Sequence, residues 1–190
     1  MLSVSQLERN KKTFQDSNLK YGIFTQDLED FLGEDFYISP ASGSLDRYGC
    51  YPGGLLHHLI KACTYSIKIC DIFPATVKPD TKTIVRTVFL SQIGKVNQFI
   101  PVDNVWVKKN TNKMYSFNNE GVRFKISERS VYYALTHGVT LSETEYQAIL
   151  NLDKDDDDNM SKYFSEPLSQ IIKMGFELAI IEEKNGAKKS

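Results

Sequence analysis

Four side chains in this sequence have the types and spacing to do chemistry: His58, shortly after Gly53-Gly54, and then Ser91, Gln92 and Lys95 within one short stretch. An imidazole can bind a metal or move a proton, and a lysine ammonium can face a phosphate as a point charge. A divalent ion, however, needs several oxygen or imidazole ligands, usually including a carboxylate that offsets its charge. One imidazole, one hydroxyl and one amide supply neither the number nor the charge. No catalytic residue, no metal and no cofactor is therefore expected of this group. His58 reads as a buried neutral histidine hydrogen-bonded to Ser91 or Gln92, and Lys95 as a solvent-facing helical lysine. The sharper alternative has His58, Gln92 and Lys95 holding a phosphate or nucleotide without metal.

The elements that must position these groups are helical. Gly54 to about Phe73 is apolar almost all round (Leu55, Leu56, Leu59, Ile60, Cys63, Ile67, Ile69, Cys70), the pattern of a central buried helix with His58 in its first turn. A second helix, expected near Thr81 to Phe99, carries Ile84, Val85, Val88, Phe89, Ile93 and Val96 together with Ser91, Gln92 and Lys95. Further helices are expected from Ser3 to Phe14 and from near Phe24 to a stop at Gly33. Another follows Ser127 as N-cap, one starts at the Ser142-x-x-Glu145 capping box, and the last runs from Pro167 to about Lys184. The runs Asn104-Val-Trp-Val-Lys and Lys113-Met-Tyr-Ser-Phe flank Asn110-Thr-Asn112 and read as a β-hairpin. The expected fold class is all-α (mainly α), with one small hairpin. It forms a single domain over 1–190, with 1–35 as an N-terminal helical extension and 186–190 as a flexible tail.

Several segments resemble, in order, the phage-type HD-domain phosphohydrolases. They are Phe36-Tyr-Ile-Ser-Pro-Ala-Ser42, Gly53-Gly54-Leu55 with His58, Ile93-Gly94-Lys95, Ser127-Glu-Arg-Ser-Val-Tyr-Tyr133, Leu141 to Ile149, and Glu166-Pro-Leu-Ser-Gln-Ile-Ile172. The resemblance implies an HD-like helical bundle in which histidines and aspartates hold divalent ions that activate water against a phosphate ester. Ser91-Gln92 stands where that family has its His-Asp doublet. Ile126, Leu152 and Phe176 fall at or near its other ligand positions. The resemblance thus implies a catalytically degenerate, phage-encoded relative, acting as a scaffold or binding component for a viral or host protein. Two alternatives stay open: a residual metal-dependent phosphohydrolase with a site rebuilt around His58 and the Asp153–Asp158 run, and the metal-free nucleotide or phosphate sensor.

Composition narrows the classes further. The 190 residues, 41% hydrophobic and 12% aromatic, suffice for one sizeable core. With a formal net charge of -1 and no conspicuous Lys/Arg block, nucleic-acid binding has no electrostatic footprint. No apolar run reaches the length of a membrane span, and the N-terminus lacks the pattern of a signal peptide, so a host-cytoplasmic or virion-associated setting is expected. Cys50, Cys63 and Cys70 have no zinc-type spacing and read as buried free thiols. The Asp153-Lys-Asp-Asp-Asp-Asp158 run lacks the Gly and Glu of a calcium loop, since Asp158 and Phe164 occupy those positions; it reads as a solvated loop. His57 is expected at a surface or core edge, and His137 at a helix end. Trp106, Tyr115, Tyr132 and Tyr133 are candidates for a partner surface.

Overall fold

The computed structural model describes residues 2–120, 122–153 and 166–186. The acidic run beyond Asp153 and the last four residues lie outside them. The chain is mainly α, as its apolar periodicity predicts. Among the described residues the helices are α1 (Val4–Tyr21), α2 (Gln26–Leu32), α3 (Asp35–Ile38), α4 (Gly54–Cys70), α5 (Thr81–Leu90), α6 (Val105–Thr111), α7 (Ile126–Thr136), α8 (Glu143–Asn151) and α9 (Pro167–Gly186). Two three-residue strands, β1 (Phe99–Pro101) and β2 (Tyr115–Phe117), pair antiparallel with Phe99 opposite Phe117. No helix among the described residues is long and apolar enough to cross a membrane.

Local chemistry accounts for the helix starts. Ser3, Thr25, Asp80 and Ser142 each accept a backbone N–H from their own first turn. Glu145 completes the capping box by accepting the Ser142 N–H at 2.9 Å. Its other oxygen takes Arg86 Nε at 2.9 Å, so one residue both caps α8 and ties it to α5. Arg86 also donates to the carbonyls of Gly22 and Thr140, closing the α1–α2 turn against the α7–α8 connection.

Several elements differ from the sequence expectation, the first being α1, which runs on past Phe14 to Tyr21. The predicted first strand of the hairpin is helical. Asn104 caps α6 by accepting the N–H groups of Trp106 and Val107, and Asn112, at φ 54°, ends it. These two asparagines override the β propensity of Val-Trp-Val, and the partner of β2 is the Phe99–Pro101 segment instead. Helix α7 starts two residues earlier than a Ser127 cap allows, with Lys125 at the cap, because Ser127 donates its N–H to Asp153 at 2.6 Å, a carboxylate just past the end of α8. Helix α5 ends at Leu90, and Ile93–Lys95 form a separate 3₁₀ turn.

The core gathers around two contacts. Phe14 is fully buried, with ring centroids of Phe24, Phe36 and Phe89 at 4.9, 4.8 and 5.2 Å. Helices α4 and α9 pack closely along Leu55, Leu59, Ala62, Ile171, Ile172 and Ala179, all buried. Their closest approach is at Gly175, where a Cβ would stand 2.1 Å from Ser66 Oγ. That packing brings the end of α9 over the start of α4, where His58 lies.

Candidate functional site

His58 is 1% exposed, and its partner is neither Ser91 nor Gln92. Its Nδ1 lies 2.9 Å from Glu183 Oε1 in the last turns of α9. A carboxylate only accepts, so Nδ1 carries the proton and Nε2 presents a lone pair. Tyr48 covers one face of the imidazole at 4.2 Å between centroids, and Phe176 stands at 5.5 Å. Phe176 thus places hydrocarbon beside the histidine where the resemblance would expect a carboxylate.

The other three expected site residues divide. Lys95 is 5% exposed rather than solvent-facing, and its Nζ donates to the Tyr48 hydroxyl at 3.0 Å. Tyr48 therefore joins Lys95 to His58. Ser91 is fully buried and donates its hydroxyl to the Val88 carbonyl, which spends it on its own helix end. Gln92 is half-buried; its carbonyl accepts the Lys95 N–H at 3.0 Å, but its side chain makes no hydrogen bond to His58 or Lys95 among the described residues. The structure brings together His58, Glu183, Tyr48 and Lys95, and leaves Ser91 and Gln92 outside that group.

Gly94 owes its place to packing. Ser130 Oγ accepts the Gly94 N–H at 2.9 Å and lies 2.9 and 2.8 Å from the carbonyls of Ser91 and Ile126. This hydroxyl takes over the end of α5, which is why the helix stops where it does. A Cβ on Gly94 would stand 2.5 Å from the Ile126 carbonyl oxygen. Gly94→Ala is expected to lower the unfolding free energy by about 1–3 kcal/mol, measured by urea titration.

The remaining polar groups follow from burial. Nε2 of His58 and Oε2 of Glu183 are buried without a partner among the described residues. Burial pushes the His58 pKa down, opposed by the hydrogen bond that Nδ1 donates to the Glu183 carboxylate and assisted by the nearby Lys95 charge. His57, whose Nδ1 lies 3.2 Å from Asn10 Nδ2, is also pushed down, first by burial and then by Lys61. Tyr51 is pushed up by burial and by the Glu183 carboxylate. His137 pairs with Asp27 at 2.9 Å and stacks on Phe31, closing the end of α7 onto α2. Cys50, Cys63 and Cys70 are buried free thiols.

Two depressed histidines fix the sign of a pH effect. The unfolded chain binds their protons at about pH 6.5, while the folded chain does so only at lower pH. Their contribution is fully present above about pH 6.5 and is lost as pH falls toward the folded values. Thermal midpoints are expected to drop between pH 7.5 and 5.0, less steeply in a His58→Asn variant.

A metal does not fit this cluster. His58 Nε2 and Glu183 Oε2 are two donors, Lys95 adds a positive charge beside them, and no group of three or more His, Cys, Asp or Glu side chains converges among the described residues. Asp153, from which a rebuilt site would draw a carboxylate, gives it to Ser127 instead. Sequence reasoning missed Glu183 and Tyr48. Glu183 carried a signal, since it continues the buried stripe Phe176–Ala179 at helical spacing and a carboxylate on such a stripe calls for a partner. Tyr48 lies outside any periodic segment and carried none. Comparison with family models, curated proteins and solved structures finds nothing that matches this chain.

Proposed function

We propose that this chain is a catalytically degenerate, phage-encoded HD-like domain that works by binding, as a scaffold or structural component with a viral or host protein partner. The observation that carries this reading is the pairing of His58 with Glu183 inside a closed shell of Tyr48, Phe176 and Lys95. A histidine that serves as a metal ligand must offer its lone pair to an open coordination position. Here the lone pair points into packed protein, and an ammonium is drawn into the same shell. Gly94 fits the reading too, because its role at the α5–α7 contact is structural and needs no catalysis to maintain it.

The test is turnover. The protein, incubated with magnesium, manganese or zinc and with phosphate monoesters, phosphate diesters and nucleoside monophosphates, is expected to show no hydrolysis that His58→Ala removes. Metal-dependent hydrolysis lost in that variant contradicts the proposal.

A further inference from the structure

The near-neutral total charge hides an uneven distribution. Between residues 99 and 133 there are six Lys and Arg against three Asp and Glu, while the rest of the chain has seventeen against twenty-one. This segment spans β1, α6, β2 and most of α7, so one region is basic on an otherwise acidic protein. Among the described residues, none of its lysines or arginines is held in an ion pair.

The same region exposes aromatic surface beyond what packing needs. Phe117 is 59% exposed and Phe124 is 41% exposed, and both line a groove of about 360 Å3 between β2 and the start of α7. Phe124 stacks on Tyr132 at 5.8 Å with the rings 17° apart, so a flat hydrophobic face stands ready-made beside the groove. Arg123 is exposed at its rim, and Asn118 and Asn119 supply amides. Gln98 closes the wall with a side-chain oxygen that is buried and has no donor among the described residues. Such an acceptor beside an aromatic face suits a planar ring bearing an N–H group.

We propose that this groove binds single-stranded nucleic acid. Bases stack on Phe117 and on the Phe124–Tyr132 face, the Gln98 oxygen accepts an exocyclic or ring N–H, and Arg123 meets the backbone phosphate. An aromatic platform beside free cations is the general means by which proteins hold unpaired strands, since every base has a π-face and every linkage a charge. An acidic peptide could satisfy the cations and, through a backbone N–H, the buried acceptor, but would leave the stacking faces unused. The groove lies away from the His58–Glu183 pair, and the inference does not rest on the scaffold reading.

The experiment is fluorescence anisotropy of the whole chain with a short labelled oligodeoxynucleotide of mixed sequence, its RNA counterpart, the duplex of the same sequence, and poly-glutamate. The expected result is binding of single strands that weakens as salt rises, with weaker binding of duplex and poly-glutamate. Phe117→Ala and Arg123→Glu, both at exposed positions, are each expected to weaken it about tenfold or more while circular dichroism stays unchanged. Preference for one sugar supports the proposal and identifies the strand. Absence of single-strand binding, affinity unaffected by both substitutions, or equal affinity for poly-glutamate overturns it.

Discussion

Phe14→Ala is expected to be the most damaging single truncation in the core, costing about 3–5 kcal/mol of unfolding free energy. The ring is fully buried and meets Phe24, Phe36 and Phe89 within 5.2 Å, so its removal strips contacts from three other rings at once. Those rings come from α3, α5 and the α1–α2 turn, which cannot collapse together without shifting elements that Arg86 and Glu145 hold from the other side. Against a typical domain stability of about 5–15 kcal/mol, such a loss leaves little margin. Urea titration of the wild type and Phe14→Ala measures it. Phe14→Leu, which keeps most of the volume, should recover much of the difference.

The second large effect is at His58. His58→Ala removes the only donor that Glu183 Oε1 has among the described residues, and leaves a carboxylate inside Tyr48, Phe176 and α4 together with a void the size of an imidazole. An unpartnered buried charge and a cavity act in the same direction, and the expected cost is about 2–4 kcal/mol. Glu183→Gln keeps an acceptor for Nδ1 and removes the charge, so its cost is expected to be about 1 kcal/mol or less. The contrast between the two variants is the informative quantity. A histidine waiting for a metal would cost little to remove from the metal-free protein, and its carboxylate neighbour would matter equally little.

The helical frame was legible because it rests on local signals. Apolar periodicity marked α4 and α5, and the Ser142-x-x-Glu145 spacing marked the start of α8 at the residue where the structure has it. Gly33 as a stop for α2 and Pro167 as the start of α9 follow from backbone chemistry alone. Two of the errors come from a tertiary partner overriding a local preference: Asp153 extends α7 backward and Ser130 ends α5. At α6 the cause is local, since the asparagines at its two ends turn a β-like run into a helix. His58 was legible as buried, because it stands on an all-round apolar helix. Its partner was not, because Glu183 lies 125 positions away and only the packing of α4 on α9 brings them together. Lys95 shows the same limit, since its burial depends on Tyr48 reaching over from an irregular segment between α3 and α4.

The central claim is that His58 belongs to a closed pair with Glu183 and holds no metal. Its most direct test is the metal content of the folded protein, measured by mass spectrometry after exposure to manganese, zinc and magnesium and removal of the excess. The account predicts substoichiometric metal, unchanged in His58→Ala and in Glu183→Gln. One equivalent of metal per chain, lost in both variants, would contradict it.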